Sequence, residues 1–243
     1  MKSIFAKCPI CGTEMIQGFI PLDTKCDLCG NPTIANYYCP NGHHVCNNCG
    51  YNMMYEPLRN ICLNTKSRNP MEILEKMIDD ENIPLMGCKQ NLVCALAVYT
   101  AYKNNGGKGV ELSKGLDMIK DRIARVQVSM CMLGGFCGIP VAMGVAYQAV
   151  STHSDKIDEI TATANLMSGH CMTKLMNPNN EGSKNCCIRN SIICTIESAR
   201  FLNNNFWIDM ELPQFIKCKY SDMNPRCNKE KCPFFNGKRT EKI

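Results

Sequence analysis

Residues 128–150 read VSMCMLGGFCGIPVAMGVAYQAV. From Pro140 the stretch is small, apolar and free of alternation, and Gly134-Gly135 punctuates it in front. Proline at the head of a run of small apolar residues predicts a helix. Cys131 and Cys137 flank the glycines, so this helix opens on a thiol. Whether such thiols are packing or ligands decides how the chain is read.

The helical pattern extends in both directions. PMEILEKMIDD starts on Pro70, and NLVCALAVYTAYKN follows Gly87-Cys88 and stops before NNGGKG. ELSKGLDMIKDRIARV carries Leu112, Leu116, Ile119 and Ile123 on one face. A second stripe takes Ile157, Ile160, Ala164, Met167 and Cys171. NSIICTIESARFLNNNF opens on Asn190 or Ser191 as the cap. No alternating strand series occurs, so the expected fold is mostly α, with a small amino-terminal metal domain like a zinc ribbon or treble clef. The expected organisation is a two-zinc finger-like domain over 1–50, a linker over 51–70 and a helical cysteine-rich body over 71–217. A cysteine-containing tail over 218–243 would pack on that body.

The first fifty residues hold Cys8-x2-Cys11, Cys26-x2-Cys29, Cys39-x3-His43 and Cys46-x2-Cys49. Each knuckle aims two ligands at one ion, and eight ligands suffice for two closed tetrahedral zinc sites. Spacing favours His43 over His44, and leaves the pairing of the knuckles open. Gly12, Gly30 and Gly50 follow three of them, where the chain must turn tightly. The segment has too few core-sized side chains to fold without metal.

In the body, thiols precede three helices: Cys88, Cys137, and the pair Cys186–Cys187. Helix amino termini carry unpaired amides and partial positive charge, which favour thiolate and suit an anionic cluster. Cys131, Cys137 and one of Cys186 or Cys187 are therefore expected to hold an iron–sulfur cluster, taken as [4Fe–4S], with Cys88 as candidate fourth ligand. An iron left open would act as a Lewis acid on a small sulfur- or hydroxyl-bearing substrate, as in cluster-dependent lyases and desulfidases. Arg189, Lys89 or Lys184 would bind the substrate's carboxylate. Cys186, Cys187 and Arg189 are the candidate catalytic residues. In the tail, Cys218, Cys227 and Cys232 read as a metal staple whose fourth ligand comes from the body, or as further ligands of the central site. Cys94, Cys171 and Cys194 read as core fillers, and Cys62 as linker.

Nineteen cysteines in 243 residues point to metals in a reducing, cytoplasmic setting rather than to disulfides. No apolar run is long enough to span a bilayer. The formal charge of +5 falls to near zero once zinc-bound and cluster-bound thiolates are counted, so charge gives nucleic acid no support. The C-x3-C-x2-C motif of radical S-adenosylmethionine enzymes, a phosphate-binding GxxxxGK[ST] and a GxGxxG are all missing. Two other classes stand beside the lyase: a non-catalytic partner or electron-transfer protein, and a thiol redox or sulfur-carrier protein turning over at Cys186–Cys187.

MCMLGGFCGIPVAMGVAYQAV, NCCIRNSIICTIESARFL and CKYSDMNPRCNKEKCPFF together resemble the cysteine-rich prokaryotic family known as domain of unknown function 5714. YYCPNGHHVCNNC resembles the finger that often precedes it. The Cys186-Cys187-x-Arg189 element is the most specific part of the match. The resemblance implies an anaerobe-type protein and, as partner, an S-adenosylmethionine-dependent enzyme. Where members often carry histidines, this chain has Lys89 and Gln90 after Cys88.

Overall fold

The computed structural model describes residues 7–81, 83–126, 135–151, 156–177 and 181–242; side chains are described for all of these but 17, 19 and 242. Cys131 and Gly134, on which the expected central site partly rests, lie outside the described residues. Among the described residues 54% are helical, and strands are small. The mostly α expectation holds.

The amino-terminal segment is a β-hairpin, β1 (Ile16–Lys25) antiparallel to β2 (Pro32–Tyr38), with a bulge between Gln17 and Leu22. Seven helices follow among the described residues: α1 (Asn47–Asn64), α2 (Pro70–Ile78), α3 (Lys89–Asn104), α4 (Leu112–Ile123), α5 (Gly138–Val150), α6 (Ile157–Met176) and α7 (Cys187–Phe206). Two short strands in the tail, β3 (Phe215–Ile216) and β4 (Lys238–Arg239), pair antiparallel.

Residues 51–70 are not a plain linker. Asn47–Asn64 is one helix, burying Tyr51, Met54, Tyr55, Leu58 and Cys62. Pro57 inside it and the absence of a Ser, Thr, Asp or Asn cap hide it from pattern reading, because proline normally marks a helix break. Its N-cap is Cys46, a finger cysteine, so this helix grows directly out of the finger. Cys62 is fully buried, and burial raises its thiol to about 12.

At the centre lies α3, packed by α2, α4, α5 and α7. Buried residues run from Gln90 to Tyr102 without a polar face, as a helix surrounded on all sides requires. Gln90 fits there because its side chain donates to Pro84 O at 2.7 Å and accepts from Ser191 Oγ at 3.3 Å. Leu96, fully buried in α3, should cost about 2–5 kcal/mol of stability when cut to alanine. A denaturant titration in the metal-loaded protein reads this directly.

Helix α7 starts earlier than its sequence suggests. Cys186 is the cap, its Sγ accepting from Arg189 N, so Asn190 and Ser191 lie inside the helix rather than at its end. Further along, Glu197 is only 1% exposed and binds His170 Nε2 at 2.7 Å, Lys174 Nζ at 3.3 Å and Arg200, locking α6 to α7. Cys94, Cys171 and Cys194 are fully buried and act as core, with Cys171 Sγ 3.3 Å from Ser198 Oγ. The tail closes over α2: Tyr220 Oη and Lys219 Nζ both reach Asp79, at 2.9 Å and 2.6 Å.

Candidate metal centres and the cleft between them

In the finger, alternate knuckles meet. Cys8, Cys11, Cys39 and His43 form one group, and Cys26, Cys29, Cys46 and Cys49 the other; within each, ligand atoms lie within 4.8 Å of one another. The first contains Cys11 Sγ 3.5 Å from Cys39 Sγ, and His43 Nδ1 3.7 Å from Cys39 Sγ. The second has Cys29 Sγ 3.8 Å from Cys46 Sγ. Strand β1 runs from the first knuckle to the second and β2 returns to the third, so the hairpin spans both groups. Gly12 and Gly30 turn the chain at φ +72°, and each amide returns to its knuckle's first carbonyl at 2.8 Å. Gly50, in contrast, is an ordinary residue of α1.

The electrostatics call for a cation. Hydrogen bonds from Thr13 and Asn41 hold the Cys11 thiol down at about 5. Burial opposes ionisation of Cys26, yet amides led by that of Cys46 bring it to about 6. Burial and the neighbouring thiols push Cys49 up to about 12. Sulfurs this close cannot all ionise against one another, and a divalent ion removes the conflict. Two groups able to hold ions such as zinc therefore stand where the knuckle spacing placed them.

Among the described residues, the cysteines of body and tail that lie outside the core fall into two sets on either side of the α7 amino terminus. Cys186, Cys218, Cys227 and Cys232 line one small cavity of about 10 Å³, with Arg189, Asn224 and Phe234 in its wall. Cys186 is thus the body residue that joins the three tail cysteines. N–H groups point at these sulfurs: Asn224 Nδ2 at 3.2 Å and Arg189 N at 3.4 Å from Cys186, Lys229 N at 3.3 Å from Cys227. Burial raises the Cys218 thiol to about 11 and pushes Cys186 and Cys232 upward. Without a metal these are inert thiols, not nucleophiles. The guanidinium of Arg189, 1% exposed, donates to Glu181 O at 2.8 Å and Asn190 Oδ1 at 2.9 Å. Burial disfavours its charge, and what most favours it is Cys232, then Cys186, Cys194 and Cys137.

Cys88, Cys137 and Cys187 face the other way, into a cleft of about 630 Å³ between finger and body. Cys88 caps α3 and Cys137 caps α5, as expected for thiols at helix starts. Cys187 Sγ accepts from Gly87 N at 3.3 Å, and Cys137 Sγ from Asn190 Nδ2 at 3.6 Å. Tyr51, two residues beyond the finger ligand Cys49, bonds Cys88 O at 3.0 Å and ties the finger to this wall. Lys89 and Lys184 also line it. Burial lowers both, with the nearby Cys88 opposing the shift at Lys89 and the charge of Arg189 adding to it at Lys184.

Of the two alternatives for the tail cysteines, the described residues place them with a body cysteine, Cys186, and apart from Cys88, Cys137 and Cys187. Cys186 and Cys187 do not share a cavity, and Arg189 sits with Cys186 rather than in the cleft. Pattern reading missed Asn190 and Asn224 as donors to sulfur; isolated asparagines carry no spacing signal.

A model of the family of unknown function DUF5714 matches residues 58–235. The chain belongs to this family. The DUF5714 region begins within α1 and takes in both cysteine sets of the body, while the four knuckles of the finger precede it. Neither the curated proteins nor the solved structures contain a match. Among the described residues no helix is long and apolar enough to cross a membrane.

Proposed function

We propose that this protein is an iron–sulfur protein with two structural zinc ions, and that the cleft is where it works on a small molecule. The observation that carries the reading is the meeting of Cys186 with Cys218, Cys227 and Cys232 around one cavity, with N–H donors on the sulfurs. The finger groups have the close spacing that a single tetrahedral zinc demands, about 3.8 Å between sulfurs. Among the described residues only the finger groups bring their ligand atoms within 4.8 Å of one another; the tail set is not among them, a wider spacing than one ion takes and one that suits a cluster. Arg189 supplies the buried countercharge that four thiolates around an iron–sulfur core require.

The zinc ions hold the finger together. Four protein thiolates leave no coordination position for substrate, so the tail cluster suits folding or electron transfer. Cys88, Cys137 and Cys187 line an open cleft, and a cluster held there by three thiolates would supply a Lewis acid for drawing hydroxyl or sulfur from a substrate. Lys89 and Lys184 are then the residues that bind and orient its acidic group. The opposed placement of Cys186 and Cys187 gives a vicinal redox pair no support.

A second reading, a partner protein for an S-adenosylmethionine-dependent enzyme, draws on the hairpin, where Ile16, Ile20, Leu22 and Ile34 are all exposed. Co-purification with such an enzyme through this surface would favour it.

Anaerobic purification with metal and sulfide analysis tests the main reading. The expected result is two zinc per chain, about four or more iron with matching sulfide, and a brown chromophore. Zinc alone after anaerobic reconstitution would refute it.

A further inference from the structure

The described lining of the cleft contains Lys7, Lys89, Lys184 and Arg226, and no Asp or Glu. The chain as a whole has 27 Lys and Arg against 22 Asp and Glu, so composition alone would bring acids into a wall of this size. The four cations come from the finger, the start of α3, the segment before α7 and the tail. Two helix amino termini, those of α3 and α5, add partial positive charge through their caps Cys88 and Cys137. Away from the thiols that hold metal, the charged side chains of this concave wall are of one sign, and such a wall focuses its field and concentrates ions of the other sign.

Three further features define the occupant. A volume of about 630 Å³ is that of a small-molecule site rather than a macromolecular surface. Met86, Phe136 and Met176 give part of the wall an apolar character. His44 lines the same cleft, and both its ring nitrogens are buried without a hydrogen-bond partner among the described residues. A neutral imidazole has one donor and one acceptor to offer a polar ligand.

We propose that the cleft binds a small organic anion, its carboxylate or phosphate held by Lys89, Lys184 and Arg226 and its remainder lying over Cys88, Cys137 and Cys187. This rests on the cleft being the working site.

The test alkylates the full-length protein, anaerobically as isolated and after iron removal with bipyridyl. Iodoacetate carries a negative charge and iodoacetamide is neutral; rates at Cys88, Cys137 and Cys187 are read peptide by peptide. Thiol ionisation affects both reagents alike, so their rate ratio reports local potential. That ratio should exceed the ratio in urea-unfolded protein by about tenfold or more. It should fall towards the unfolded value in Lys89→Gln, and by a smaller step in Arg226→Gln, an exposed position that leaves the fold intact. Millimolar pyrophosphate or citrate should slow iodoacetamide: protection by pyrophosphate assigns a phosphate ligand, protection by citrate a carboxylate. A ratio equal to that of unfolded protein overturns the proposal. So does failure of both reagents to reach the thiols after iron removal, since the cleft would then be closed. Absence of iron from the isolated protein defeats the cluster reading and leaves the ratio readable, so the two fail separately.

Discussion

Protein carrying Cys186→Ala is expected to lose about four iron per chain with their sulfide, while its zinc content stays at two. The Cys186 thiol is 7% exposed and shares its cavity with the three tail cysteines, so no neighbouring thiol can take its place. Cys187→Ala should leave that iron in place, because its sulfur faces the cleft. The tail should loosen in the first variant alone. Tyr220 and Lys219 tie the tail to Asp79, but beyond them Cys218 N bonds Phe234 O at 2.8 Å and β3 and β4 contribute only two residues each, so the residues around Cys227 and Cys232 should loosen first. Metal analysis beside limited proteolysis over 215–239 measures both effects. A double variant, Cys186→Ala with Cys187→Ala, that loses no more iron than either single variant would mean that Cys186 and Cys187 serve one site after all, against the geometry.

Cys39→Ala should unfold the finger and leave the helical body folded. Structural zinc contributes about 10–16 kcal/mol in small finger peptides, and this finger has few alternatives to it. Its hairpin exposes Ile16, Ile20, Leu22 and Ile34, so hardly any apolar burial replaces the lost ion. Loss at one group should spread to the other, because β1 and β2 each run between them. Hydrogen exchange should show protection lost over residues 16–38 and retained in α3. A hairpin that stays protected in zinc-free protein would overturn this account.

Much was legible in the sequence where the physics is local. The ligand types and knuckle spacings named all eight finger residues, including His43 over His44. Thiols at the starts of α3, α5 and α7 followed from Pro, Gly and the apolar periodicity. Helix α1 was not legible: Pro57 argues against it, and its cap is a cysteine whose role lies in the metal group. Glu197 gave no sign of being buried, since its three cations reach it from α6 and from the next turn of α7.

By itself the sequence determined that this is a mostly helical chain whose finger carries two groups able to hold metal ions, because residue type, knuckle spacing and helical period act within a few residues. Only the tertiary structure decided which ligands meet. Knuckles distant in sequence pair in alternation because the hairpin carries them past one another. Cys186 and Cys187 part because the backbone changes from extended at the cap Cys186 to helical at Cys187, and the tail packs on the cap's side alone. Two adjacent thiols thus open onto two different sites, and no reading of their spacing could separate them.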